Sequence, residues 1–251
     1  MSPLVLREDA DGLATLTLHR PEKLNALTVA LFAELRAHVL QLAQETDRIG
    51  LVVLRGAGKC FSAGHDLADI AHGERPPQPH FQADTIELLA NLPQPVVTAV
   101  HGHCYTGALE LALAGDLIVA AESAKFADTH ARWALVPVWG MSQRLPRRVG
   151  MARAQEMTYT ARTFSGREAE AMGLVNWCVP DAGFDAALAT TARSILANSW
   201  YSLRANKRLY RETEGLPLRA GLSHEIHRSE GRGPDMAERI AAFMNKTSKL
   251  A

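Results

Sequence analysis

The sequence predicts an α/β fold, and three observations carry that reading. Short apolar runs at residues 49–54, 95–100 and 117–121 have the length of buried strands, with glycines following closely on the first two. Segments of helical periodicity separate them, an alternation that calls for a parallel sheet joined by right-handed crossovers. Glycines just past strand ends mark where ligands usually sit in such folds, so candidate site residues cluster at Gly64 and at 102–107.

Taken in order, residues 13–18 (Leu-Ala-Thr-Leu-Thr-Leu) alternate with period two and predict a strand. Thr28 can N-cap a helix running to about residue 46, with Leu31, Leu35, Val39 and Leu42 as its apolar stripe. The run at 49–54 is the next strand, followed by Phe61-Ser62-Ala63-Gly64-His65-Asp66-Leu67. Residues 73–80, with three prolines, read as an exposed, mobile loop bordering a binding site or a linker. After the strand at 95–100, a glycine-bearing loop from Gly102 leads into a nearly all-apolar helix that holds Glu110. From residue 184 onward the pattern is helical, with breaks at Asn198, 215–217 and 231–234. This divides the chain into a core at 1–183 and a C-terminal helical region at 184–251.

Of the 251 residues, 47% are hydrophobic and 22% charged, enough to bury a sizeable core. Basic and acidic residues balance at 27 each, so no overall field favours nucleic acid or an anionic membrane. Cys60, Cys104 and Cys178 form no CxxC pair, which points away from a disulfide framework or zinc ribbon and toward a reducing compartment. Neither a signal-like N-terminus nor an apolar run near the roughly 20 residues of a spanning helix is present, and a cytoplasmic protein is expected.

Glu110 is the anomaly. Leu109, Leu111, Ala112 and Leu113 surround it, and a carboxylate buried among apolar side chains is costly enough to need a reason. Burial would raise its pKa toward the range useful for acid/base chemistry. Its alternative is a structural carboxylate held by an arginine or by backbone. One backbone amide at each of the two glycine turns would form an oxyanion hole, which stabilises the enolate of a thioester attacked at its β-carbon or deprotonated at its α-carbon.

These segments, with Arg20-Pro21-Glu22-Lys23-Leu24-Asn25-Ala26-Leu27 before them and Gly115-Asp116-Leu117-Ile118 after, resemble the enoyl-CoA hydratase/isomerase (crotonase) superfamily. The likeness continues through Ala124-Lys125-Phe126-Ala127-Asp128, Val136-Pro137, Gln143-Arg144-Leu145 and Phe164-Ser165-Gly166-Arg167-Glu168-Ala169. It implies a spiral of ββα repeats with a C-terminal helical trimerisation region, in a homotrimer or dimer of trimers. It also implies an acyl-CoA thioester substrate, with coenzyme A as part of that substrate and no separate cofactor or metal. By the resemblance, the amides of His65 and Gly107 form the oxyanion hole, while Lys23, Leu24, Ala26, Ala63, Asp66 and Leu67 flank coenzyme A. Trp133 and Trp139 would line the acyl pocket, and Lys246 would offer a basic side chain to coenzyme A.

Glu110 matches the first of the hydratases' two catalytic glutamates, but the second position holds His130. Histidine titrates near neutrality and can share proton transfer, or it can be a passive wall bonded to Asp128. The expected reaction is addition of water to a 2-enoyl-CoA, with Glu110 and His130 as the catalytic pair. Double-bond isomerisation, acyl-CoA decarboxylation and non-catalytic acyl-CoA binding are the alternatives, although Val138 lacks the tyrosine of the decarboxylase branch. His101 and His103 are too few for a metal site, and the imidazole of His65 reads as incidental. Arg144, Arg147 and Arg148 lack the interleaved aromatics of a nucleic-acid surface.

Overall fold

A computed structural model describes residues 2–247. Its larger sheet has six strands in the order β1 (Val5–Ala10), β2 (Leu13–Leu18), β3 (Leu51–Gly56), β4 (Val96–Val100), β6 (Leu117–Ala121) and β9 (Trp177–Val179). Only the hairpin pair β1 and β2 is antiparallel; the other pairs are parallel. The alternation at 13–18 emerges as expected, with Ala14, Leu16 and Leu18 buried. β4 is buried along its whole length, as a strand covered on both faces must be.

A second, smaller sheet joins β5 (His103–Tyr105), β7 (Lys125–Ala127) and β8 (Phe164–Ser165). Isolated bridges from Ser62 to Cys104 and from Leu27 to His65 extend it backward along the chain. Each successive turn therefore gives one strand to the large sheet, one short segment to the small sheet, and then a helix. This is the spiral of ββα units that the sequence resemblance implies, and it stacks the loops after the short segments side by side.

Thr28 caps α1 (Val29–Leu42) through its side chain, which accepts from the Leu31 amide at 3.2 Å. The predicted stripe is buried, although the helix ends at Leu42 rather than near 46, where the chain turns in front of β3. Residues 70–91 are largely helical. They contain the end of α2 (Leu67–His72) and all of α3 (Phe81–Ala90), whose Phe81, Thr85, Ile86 and Leu89 bury one face. Residues 73–80 stay non-helical between them.

From Phe184 every regular element among the described residues is helical: α8 (Phe184–Leu196), α9 (Trp200–Thr213), α10 (Leu218–Arg228) and α11 (Met236–Thr247). α8 covers the second face of the large sheet, where Phe184, Leu188 and Ala192 pack with Leu51, Val53, Val97, Ala99 and Val119. α9 is tied to the core by the buried Lys207, which donates to the Gln94 carbonyl at 2.9 Å and to Asp116 at 2.7 Å. Among the described residues no helix is long and apolar enough to cross a membrane.

Candidate active site

The two glycine turns meet. Gly64 has φ +102°, and an added Cβ there would stand 2.6 Å from the Tyr105 carbonyl oxygen, so only glycine lets the second turn of the spiral approach the third this closely. In the bridge to Leu27, the flanking residues carry the hydrogen bonds: Leu27 donates to the Gly64 carbonyl and Asp66 donates to the Leu27 carbonyl. The amide of His65 lies between them, outside the ladder.

Gly107 opens α4 (Gly107–Ala112), so its amide has no intrahelical acceptor. Thr106 before it adopts φ 53°, ψ −112°, a backbone conformation that a β-branched residue holds only when its surroundings impose it. Its amide donates to Ala127 at 2.8 Å and its hydroxyl is bonded to that of Thr129. An ideal Cβ on Gly107 would lie 3.4 Å from the His65 nitrogen, which places the two amides side by side. Such a pair can hold an oxygen on which negative charge develops.

One turn into α4, Glu110 is 1% exposed. Among the described residues no arginine pairs with it. Its Oε1 accepts from the amides of Trp139 at 2.9 Å and Met141 at 3.0 Å, at the N-terminal end of α5 (Met141–Val149), where backbone dipoles favour an anion. Arg144 steadies this turn by donating to the Trp139 carbonyl at 3.0 Å and pairing with Glu87. Oε2 is turned instead toward Nε2 of His130, 3.6 Å away. Burial pushes the Glu110 carboxyl above the ordinary carboxylate value, and the Met141 amide, His130 and the Trp139 amide pull it only partly back.

These groups open onto a cavity of about 670 Å³, within the size range of small-molecule sites. Ala63, His65, Leu67, Gly107, Glu110, His130, Trp133 and Trp139 all line it. Lys23, Leu24, Ala26 and Asp66 are not among the residues that line it. Ala63 donates to the Leu24 carbonyl at 2.9 Å, while Asp66 pairs with Arg20 at 3.2 Å and caps α2. Lys246 falls within α11, and its side chain lies outside the described residues.

Several wall residues escaped the sequence reading. Tyr105, Thr163 and Arg132 form a polar stretch of the cavity, and the Tyr105 hydroxyl is bonded to His103 at 2.9 Å. The His65 ring is hydrogen-bonded to Glu74 at 3.0 Å and lies against Trp139 with ring centroids 4.6 Å apart. Glu74 also accepts from Gln82 at 3.0 Å, so the 73–80 segment is tied to the site. Among the described residues no group of three histidine, cysteine, aspartate or glutamate side chains could hold a metal ion.

The enoyl-CoA hydratase/isomerase family model matches residues 8–248. The chain belongs to that family. Similar to it at 34% identity is the 1,2-epoxyphenylacetyl-CoA isomerase of Escherichia coli (strain K12), over 99% of this chain and 98% of the relative. A 4-chlorobenzoyl coenzyme A dehalogenase of Arthrobacter is 32% identical over 95% of this chain and 90% of its own. The crystal structure of an enoyl-CoA hydratase from Bacillus anthracis superposes with a TM-score of 0.90 at 33% identity, covering 97% of this chain and 96% of that one. The fold is thus that of the enoyl-CoA hydratase/isomerase family, and the activity is of the kind this family performs.

A larger depression, about 870 Å³, lies between α5 and α9, away from these groups. Its arginines are engaged within the chain: Arg147 pairs with Glu214 at 2.9 Å, and Arg148 donates to the Leu174 carbonyl and to Asn176. His65, Gly107, Glu110 and His130 are not among the residues that line it.

Proposed function

We propose that this protein hydrates a 2-enoyl-CoA to a 3-hydroxyacyl-CoA. The observation that carries the reading is the half-committed carboxyl of Glu110: one oxygen is fixed by two amides, and the other faces a cavity beside the His65 and Gly107 amides. The thioester oxygen sits between those amides, which draw electrons from the conjugated double bond. Glu110 takes a proton from water as the water oxygen bonds the β-carbon, and the electron pair passes to the thioester oxygen. Collapse of the enolate takes a proton at the α-carbon from Glu110 or His130. On this reading the reaction uses no redox cofactor or metal.

The name of the Bacillus anthracis neighbour supports hydration, and that of the Escherichia coli relative supports isomerisation as a second reading. Isomerisation would instead use a dienolate held by the same two amides, formed by loss of a proton at one of the α- and γ-carbons and protonated at the other. A trimer or dimer of trimers is proposed for the assembly, supported by apolar side chains that α10 and α11 leave exposed, among them Leu218, Leu222, Ile226 and Ile240. The cytoplasm is proposed as its place on the strength of three buried free thiols.

Incubation with crotonyl-CoA and longer 2-enoyl-CoAs tests the reaction. Hydration abolishes the absorbance of the conjugated thioester and gives a product heavier by one water. Binding without turnover defeats hydration, and loss of conjugation without mass gain favours isomerisation.

A further inference from the structure

His130 has its two ring nitrogens in different hands. Nδ1 lies 2.7 Å from Oδ1 of Asp128, and the same oxygen accepts from the His130 amide at 3.2 Å. The other oxygen, Oδ2, accepts from the Thr158 hydroxyl on α6 (Met151–Thr160) at 2.9 Å. Asp128 is fully buried and has no arginine or lysine partner among the described residues; the imidazole is its only ionisable partner there. Burial works against its ionisation, but the bonds from His130 and Thr158 outweigh that and hold its pKa below the ordinary value. An ionised Asp128 only accepts, so Nδ1 must carry a proton. Nε2, with no second bond, is left facing Oε2 of Glu110 across 3.6 Å, both atoms belonging to residues of the cavity wall.

We propose that Asp128 is a positioning residue for proton transfer: it fixes the His130 tautomer so that the bare Nε2 can take over, from the free Oε2 of Glu110, the proton that Glu110 receives. The proposal rests on the hydration reading only for the proton's destination. Glu110 receives the proton that water loses as its oxygen bonds the β-carbon. That proton passes to Nε2 and then to the α-carbon as the enolate collapses, so one water is added and both side chains return to their starting states. The Asp128–His130 pair thereby does the work of a second carboxyl acid. The logic is that of a carboxylate fixing a histidine for its neighbour, for which exchange of the carboxylate for an amide costs on the order of 10⁴-fold in turnover in serine proteases. Other ionisable groups on this cavity wall are Arg132, Tyr105 and the His65–Glu74 pair, and none of them bonds to His130.

Nitrogen-15 NMR of histidine-labelled full-length protein reads the tautomer directly, without reference to any reaction. The wild-type His130 ring is expected to carry its proton on Nδ1 and to present a bare Nε2. Asp128→Asn, which offers an amide N–H to Nδ1, is expected to move the proton to Nε2. With crotonyl-CoA the same variant should lose kcat by about 10²- to 10⁴-fold with KM within a few-fold, and one limb of its pH profile should be displaced. Thr158→Val, which keeps the Asp128–His130 bond, should retain the Nδ1 tautomer and most of kcat even where it lowers the melting point. A wild-type ring protonated on Nε2, or an Asp128→Asn protein with unchanged tautomer and kcat, overturns the proposal. A tautomer that switches as expected in a protein that never turns over 2-enoyl-CoAs supports the positioning role and sinks hydration alone.

Discussion

Replacing Gly107 by alanine tests how tightly the site is built. The added methyl would stand 2.5 Å from Cζ3 of Trp139. Carbon atoms in ordinary contact sit about 3.5–4.0 Å apart, so something must give by about 1 Å or more. Trp139 has little room to yield: its ring stands edge-on to Phe32 at a centroid distance of 5.1 Å, and against His65 on another side. Its own amide holds Glu110, so displacement of the ring is passed to the carboxyl. Overpacking of this kind costs about 1–3 kcal/mol of stability. Misplacement of the reacting groups by about 1 Å costs on the order of 10²-fold in turnover. The expected outcome for Gly107→Ala is therefore a melting point lowered by a few degrees and kcat on crotonyl-CoA reduced about a hundredfold. Gly183→Ala, where nothing lies within 4 Å of the added carbon, serves as the neutral control. A Gly107→Ala protein with wild-type turnover and melting point would refute the packing described for the two amides.

Further outcomes follow from the charges. Burial raises the pKa of Glu110, and only its ionised form takes a proton from water, so the acid limb of kcat/KM should lie above the ordinary carboxylate range; a limb at or below that range contradicts this. The same raised pKa means that wild-type Glu110 contributes stability at low pH that is lost as pH rises through its folded value. Glu110→Gln, which keeps an acceptor for the Trp139 and Met141 amides, should thus match the wild type in acid and exceed it in urea unfolding at alkaline pH. Lys207→Ala removes a charged donor from the Gln94 carbonyl and Asp116 and should cost about 2–3 kcal/mol in the same assay, while leaving KM for the thioester unchanged.

Glu110 was legible in the sequence because a single carboxylate inside an apolar helical run has few cheap explanations. The assignment of the two amides to His65 and Gly107 came from the resemblance, since the glycines alone pointed only to a turn after each of two strands. The strands at 95–100 and 117–121 showed themselves by apolar runs whose ends move by no more than one residue in the structure. α3 was hidden because its buried face includes Gln82 and Thr85, so hydropathy alone understates it. Asp128 was seen only as a neighbour of His130, since its significance depends on Thr158, thirty residues on, and on a ring orientation that spacing does not reveal. Glu74 lay in a segment that composition marks as a loop, and its bond to His65 is set by tertiary approach of that loop to the small sheet.

Everything proposed for the reaction passes through one carboxyl, so the most direct measurement compares kcat of wild type and Glu110→Gln on crotonyl-CoA at saturating thioester, with binding of the thioester measured beside it. Loss of turnover by about 10³-fold or more with binding retained is the predicted result, since removing an acid/base residue costs roughly 10²–10⁴-fold. A Glu110→Gln protein that hydrates crotonyl-CoA within a few-fold of the wild-type rate would contradict it and leave Glu110 as a buried structural carboxyl.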